Sequence, residues 1–334
     1  MKPCILIFGL PRSGTTWIGK LFDSHPDTLY RHEPDSMRKL SMPLFPEKED
    51  APCYREELEQ FTASLARMRS PEVVGKQPLF SKNYQSATGL AAYRASVMVA
   101  KAASRARRHF PCLFRPTGSN GRVASVVWKS VESSGRLGAC IKAMPQVRAI
   151  HLIRHPCGVM ASRMRGATTH GFGQSKPKAD NQWVLKLLLA TKAGQARGVD
   201  LDEIRNLTPE EQAAWRWMLI QEKILADVAD SDRVLTVRYE DVCSEPIRMT
   251  RRMFEFAGLG WQSQTERFVL ASTCESDADY YSVFKNSLAS ADRWRSELNP
   301  HTIERIQQIL RGSAVHRFYN DDLATSKTLQ EVVL

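Results

Sequence analysis

An α/β fold, with a central parallel sheet and a phosphate-cradling loop after its first strand, is what this sequence predicts, on three observations. Apolar runs rich in β-branched and large side chains, of which Ile5-Leu6-Ile7-Phe8 is the first, alternate with segments of helical periodicity. That first run ends in a loop holding Gly9, Pro11 and Gly14, and a helical pattern begins at once. Farther on, residues 123–128, 147–153 and 233–238 repeat the buried-strand pattern, each followed by charged or polar residues. At 334 residues the chain can bury one large core. No repeat, low-complexity tract or linker divides it, so residues 1–334 are read as a single domain with an insertion at about 41–121.

Composition narrows the classes. Apolar content of 43% and charged content of 25% are those of an ordinary globular protein. No run of 18 apolar residues occurs, so no spanning helix is expected. The first strand starts by Pro3 or Cys4 and leaves no room ahead for a signal peptide, so with Met1 as the native start a cytoplasmic protein is expected. Seven cysteines (Cys4, Cys53, Cys112, Cys140, Cys157, Cys243, Cys274) make an odd set without a C-x-x-C pair. They read as scattered reduced thiols, and no metal site is expected. The net charge of +11 and a pI near 9.4 favour anionic ligands or surfaces, be they nucleic acid, lipid, a phosphorylated cofactor or an acidic glycan. A merely soluble basic surface would look the same.

In chain order, the loop comes first. Aligned on G-x-x-x-x-G-K-[ST], Gly9, Gly14 and Thr16 fit, but Thr15 stands where the lysine belongs. That lysine reaches the β- and γ-phosphates, so a ligand with less charge than a Mg-triphosphate is expected; a plain turn between strand and helix is the alternative. Trp17, Ile18, Leu21 and Phe22 predict a helix over 15–24, stopped by His25-Pro26. A short strand at 28–31 then delivers His32-Glu33-Pro34. Ligands of open parallel sheets sit beyond the carboxyl ends of the strands, so Glu33 is expected near the crevice of the Gly14 loop. There it either accepts a proton from an attacking hydroxyl or caps the next segment.

Between 41 and 121 the pattern loosens, with proline at 43, 46, 52, 71, 78, 111 and 116, apart from a helix expected over 87–109. Such an excursion is of the kind that builds a lid or an acceptor pocket. Its basic end (Lys101, Arg105, Arg107, Arg108, His109) reads as a solvated face or as a contact to acceptor or membrane surface.

The rhythm resumes at 123–128, with Lys129 at the strand end, and a helix over 133–143 weakened by Gly135 and Gly138. The strand 147–153 finishes in Arg154-His155-Pro156, and a helix from Pro156 runs through Ser162 to Arg165. Where a nucleoside triphosphatase would carry an acidic magnesium ligand, Arg154 stands instead. A planar guanidinium there and a hydroxyl at Ser162 make a second phosphate site that needs no metal. Residues 166–180 read as a mobile loop. Two helices follow, the second opened by Thr208, Pro209 and Glu211 and carrying Trp215, Met218, Leu219, Ile224 and Leu225 as a core stripe. The strand 233–238 ends in Tyr239-Glu240-Asp241, and helices are expected over 246–257 and, capped by Asn299, over 300–311. Between them Lys285-Asn286-Ser287 and Trp294-Arg295 form a polar loop able to close over a ligand. Trp128, Trp183 and Trp217 either stack on a sugar ring or fill the core.

Three of these stretches together resemble the sulfotransferases that use 3′-phosphoadenosine 5′-phosphosulfate (PAPS), most closely their carbohydrate-type branch. Pro11 to Trp17 is similar to the family's 5′-phosphosulfate loop, residues 147–163 to its 3′-phosphate motif, and Val237 to Asp241, followed by Pro246, to its third recurrent strand end. The resemblance implies a P-loop-like sheet, PAPS as donor and PAP as product. It places Arg12, Ser13, Gly14, Thr15, Thr16 and Trp17 at the 5′-phosphosulfate, Arg154 and Ser162 at the 3′-phosphate, and Tyr239 near the adenine. Glu33 stands where that branch has its general base. From the residues themselves, His32 reads as a reserve base, since its reference pKa suits neutral pH, and Lys129 either as a second cation near the bridging oxygen or as a lysine snorkelling from a strand end. His155 replaces an acid usual in the motif, which is expected to alter a structural hydrogen bond. The Arg-Lys-Gly segment of the cytosolic branch is absent, and Asn286-Ser287 and Trp294-Arg295 stand in its region. The expected acceptor is a hydroxyl on a carbohydrate or glycoconjugate, including an acidic glycan or glycolipid, the alternative being a non-sugar alcohol or lipid. A degenerate P-loop kinase lacks its lysine and its acid here. A non-catalytic polyanion binder is the remaining rival, although no aromatics interleave the basic cluster and nucleic acid is not expected.

Overall fold

The computed structural model describes residues 4–75, 77–105, 111–112, 124–169, 182–274 and 287–319. The apolar runs become strands: β1 (Ile5–Gly9), β2 (Thr28–His32), β3 (Ser125–Ser130), β4 (Arg148–Ile153) and β5 (Val234–Arg238). Among the described residues they form one parallel sheet in the order β2-β3-β1-β4-β5. Ile5 is in register with Val127 on one side and Arg148 on the other. Because all strands point one way, the segments after Gly9, His32, Ser130, Ile153 and Arg238 share one edge, where an open parallel sheet gathers its ligands.

The helices cover both faces: α1 (Thr15–Asp23), α2 (Pro34–Met37), α3 (Arg55–Leu65), α4 (Pro71–Val74), α5 (Ala87–Arg105), α6 (Leu137–Ala143), α7 (Pro156–Thr169), α8 (Gln182–Leu189), α9 (Lys192–Gln195), α10 (Leu201–Arg205) and α11 (Pro209–Asp227). After β5 come α12 (Tyr239–Ser244), α13 (Pro246–Phe256), α14 (Ser263–Cys274), α15 (Ser287–Asp292), α16 (Trp294–Glu297) and α17 (Pro300–Leu310). Strand alternation sorts the core. Leu6 and Phe8 face Trp128, Phe61 of α3 and Trp217 of α11. Ile5 and Ile7 face Ile18 and Phe22 of α1, Phe254 of α13 and Phe268 of α14. Both faces are covered, so β1 is buried along its whole length.

Local signals explain most boundaries. Thr208 Oγ1 accepts from the Glu211 N–H at 3.3 Å and the Glu211 carboxylate from the Thr208 N–H at 3.0 Å, a reciprocal cap that opens α11. The Asn299 side chain accepts from the His301 N–H to start α17.

The structure corrects the sequence reading in several places. The insertion holds α3, whose apolar positions Leu58, Phe61 and Leu65 are too sparse among Glu and Gln to read as a stripe. Docking of the Phe61 ring 4.7 Å from that of Trp128 supplies what propensity does not. Lys129 lies inside β3 rather than at its end. α7 runs to Thr169, through the start of the expected mobile loop, and residues 170–181 lie outside the described set. Residues 287–298 are largely helical rather than a loop. Trp128 and Trp217 belong to the core, whereas Trp183 is 54% exposed. Of the basic cluster, Lys101 donates to the Gly75 carbonyl, and Arg107, Arg108 and His109 lie outside the described residues. Among the described residues no helix is long and apolar enough to cross a membrane.

Candidate functional site

The loop between β1 and α1 turns on two left-handed residues, Arg12 (φ 74°) and Gly14 (φ 92°). The Ser13 N–H closes the turn onto the Leu10 carbonyl at 3.1 Å. Left-handed backbone costs a non-glycine residue about 1 kcal/mol or more, a strain typical of ligand-clamping loops. At position 14 only glycine fits: a Cβ there would stand 2.5 Å from ring carbons of Tyr239. α1 starts at Thr15, so the first-turn N–H groups of Thr15 and Thr16 have no acceptor within their helix and face the loop mouth with the positive end of its dipole. Ser13 is fully buried, and its Oγ has no hydrogen-bond partner among the described residues. Trp17 turns inward, donating to Ser272 Oγ at 3.0 Å with its ring edge-on to Tyr239.

Arg154, at the end of β4, ties this loop to the rest of the edge. Its guanidinium donates to the Arg12 carbonyl at 3.0 Å and the Ser290 carbonyl at 2.8 Å, and it lies 4.4 Å over the Tyr239 ring. Its buried Nε has no partner among the described residues. Arg12 Nε donates to Ser162 Oγ at 3.1 Å, so the two phosphate-site candidates are one connected cluster. Tyr239 is wedged between Gly14 and Arg154, and burial pushes its phenol above the usual tyrosine range. It braces the loop from behind.

His155 shows what replaced the acid. Its N–H donates to half-buried Glu240 at 3.0 Å, its Nδ1 accepts from the Cys157 N–H at 3.2 Å, and its ring stacks on Trp294 at 4.4 Å and 5°. Burial first, then Arg295, Arg238 and Arg154, push its pKa down to about 3, so the ring is neutral. Trp294, read as a cofactor contact in a loop, is buried in α16 with its face given to His155; an apolar indole beside a neutral imidazole is more stable stacked than exposed. Arg295 lies 4.5 Å over the same indole and 3.3 Å from Asp292. Asn286 lies outside the described residues.

At the other end of the edge, Glu33 follows β2 in a left-handed conformation (φ 45°). Its N–H donates to the Lys129 carbonyl at 2.8 Å, and its Oε1 is ion-paired with the Lys129 ammonium. Burial pushes the Glu33 carboxyl up, but Lys129, with a smaller contribution from His32, holds it below the usual glutamate range. Burial lowers the pKa of Lys129, which is 1% exposed, and Glu33 opposes the shift. His32 Nε2 stands 3.9 Å from Glu33 Oε1, and its Nδ1 is 2.9 Å from Tyr30 OH. β3 lies between β2 and β1, so about 10 Å of sheet, two strand spacings, separates the Glu33 strand from the loop strand, with Lys129 between them.

Sequence reasoning missed Asp35 and gave Glu240 no role. Asp35 is buried and accepts from Trp128 Nε1 at 3.2 Å, Ser133 Oγ at 2.6 Å and Ser130 Oγ, fixing the turn that carries Glu33. Its signal was the acid two residues after Glu33 in a Glu-Pro-Asp run, which reads as an ordinary helix start. Among the described residues no cluster of three His, Cys, Asp or Glu is placed to hold a metal ion.

Comparison with known proteins gives three findings. The sequence pattern described as "Sulfotransferase family" matches residues 3–263. Carbohydrate sulfotransferase 3 of Rattus norvegicus is 29% identical over 177 residues, 52% of this chain and 33% of that protein, so the chain spans about a third of that relative's length. Carbohydrate sulfotransferase 1 of Mus musculus is 22% identical over 330 residues, 89% of this chain and 74% of that one. A solved sulfotransferase structure from Mycobacterium avium is 14% identical, with a TM-score of 0.44 over 96% of this chain and 76% of the other.

Proposed function

The chain belongs to the sulfotransferase family, and on that premise we propose that it moves a sulfuryl group from PAPS to an acceptor hydroxyl on a carbohydrate or glycoconjugate. The observation that carries the reading is the pair of buried, unpartnered polar atoms, Ser13 Oγ and Arg154 Nε, on either side of the Gly14–Tyr239 contact. Together with the N–H groups at the start of α1, they suit a nucleotide with one anionic group at the loop and another at the end of β4. The names of the relatives support a sugar acceptor.

PAPS supplies a sulfuryl group on a phosphate leaving group: the acceptor oxygen bonds to sulfur as the sulfur–phosphate oxygen bond breaks, and the electron pair leaves with PAP. The chain's residues do the rest. Arg12 and the loop N–H groups stabilise charge growing on the leaving phosphate. Arg154 and Ser162 bind the 3′-phosphate and so fix the donor. Lys129 holds Glu33 Oε1 and keeps the carboxyl ionised, which leaves Oε2 to take the hydroxyl proton. His32 is the reserve base.

The test is thermal stabilisation by PAP against Mg-ATP and adenosine 5′-phosphate. A ligand that binds only the folded state raises the melting temperature, and a selective shift with PAP is expected. Stabilisation by Mg-ATP with none from PAP would overturn the proposal.

A further inference from the structure

An open cleft of roughly 360 Å³ lies between the end of α2 and the segment joining α3 to α4. Arg38, Arg67 and Arg69 line it, with Met37, Met68 and Val73, and no carboxylate does. No ion pair or side-chain hydrogen bond joins any of the three arginines to another described residue. Ser70, on the same wall, has a buried Oγ without a hydrogen-bond partner among the described residues. Met37 is 52% exposed.

The cleft is beside the candidate base. α2 begins directly after Glu33 and is a single turn, closed by the Arg38 N–H on the Pro34 carbonyl at 3.0 Å. Met37 and Arg38 therefore follow Glu33 by about one helical turn, ~5.4 Å along the axis. Val73 belongs to α4, which packs against β2.

Resting on the sulfuryl-transfer reading, we infer that this cleft takes an amphiphilic acceptor: an apolar group over Met37, Met68 and Val73, and an anionic group among Arg38, Arg67 and Arg69. Guanidinium forks meet carboxylate, sulfate or phosphate oxygens in pairs. Three of them gathered without a counter-ion repel one another until an anion arrives. A neutral sugar would leave that charge unanswered. A wholly polar anion would leave the methionine surface wet, whereas flexible thioether chains adapt to an alkyl or aryl body.

The test measures PAP release with four probe acceptors: octyl and methyl galacturonide, and the corresponding octyl and methyl galacturonamides. Octyl galacturonide should have the highest kcat/KM, about tenfold above either singly altered probe, a factor set by one charge-assisted hydrogen bond or a few buried methylenes. Arg67→Gln and Arg69→Gln, both at exposed positions, should abolish the preference for carboxylate over amide and keep the octyl preference and PAP binding. Met68→Ser should do the reverse. Equal rates with all four probes, or losses shared by uronide and amide, would overturn the inference. Calorimetric binding of octyl galacturonide is the separate readout. Binding that Arg67→Gln weakens about tenfold supports the cleft even if PAP fails to stabilise the protein and the transferase reading falls; no binding with PAP present overturns the cleft alone.

Discussion

Replacing Glu33 by Gln keeps the size of the side chain and its left-handed backbone, and removes only the charge. Two effects follow, and the structure separates them. A positioned general base contributes about a hundredfold or more, so kcat should fall by at least ~100-fold, or about 2.7 kcal/mol of barrier. The partner suffers too: Lys129 is 1% exposed, and an ammonium left unpaired at such depth costs about 3–5 kcal/mol. That cost has a ceiling, because burial already lowers the pKa of Lys129 and the group sheds its proton rather than bear the full penalty. The unfolded lysine holds its proton to about pH 10.4, so the variant's stability deficit should shrink as pH rises from 7 to 9. The double variant Glu33→Gln, Lys129→Met should recover stability without recovering turnover. The assay is PAP release at saturating PAPS, with PAP binding measured by calorimetry beside it. Turnover within about tenfold of the parent, with normal PAP binding, would refute the base assignment and move the role to His32 or elsewhere.

Arg154→Ala should weaken PAP by about a hundredfold, the worth of two charge-assisted hydrogen bonds, and adenosine 5′-phosphosulfate by only a few-fold, since the latter lacks a 3′-phosphate; equal losses would remove Arg154 from the 3′ site. For pH, His155 and His151 are buried with pKa values pushed down to about 3 and about 4. The unfolded chain protonates both near 6.5, so their stabilisation is full above that pH and falls as pH drops, by about 1.4 kcal/mol per pH unit each. From pH 6.5 to 5 each histidine should cost about 2 kcal/mol, and His155→Asn should relieve about half of the combined loss in urea unfolding; an unchanged slope would show that His155 titrates normally in the folded state.

The residues proposed for the donor could be picked out because they lie close together in sequence, and the structure gathers them into one cluster. Arg12 to Thr16 sit in one turn, and Arg154 and Ser162 are eight residues apart on a strand end and the helix after it. The strands were legible for the same reason: continuous apolar runs mark residues buried on both faces. What escaped depends on contacts between distant residues. Asp35 gains its meaning only when β3 brings Trp128, Ser130 and Ser133 to it. Trp294 is helical and buried because His155, more than a hundred residues earlier, offers it a flat partner. α3 is a helix held by docking more than by its own periodicity. Lys129, read as a strand-end cation, is paired inside the sheet, which no one-dimensional pattern distinguishes from a solvated lysine.

The order of the sheet carries one more consequence. β1 is its middle strand, with β4 and β5 on one flank and β3 and β2 on the other. The insertion leaves the sheet after β2 and returns at β3, so both of its ends are anchored on that second flank. Between those ends the segment is built into the core: Phe61 packs on Trp128, and the Pro78 carbonyl accepts from the buried Lys20 ammonium of α1, so the insertion helps support the sheet that carries the loop.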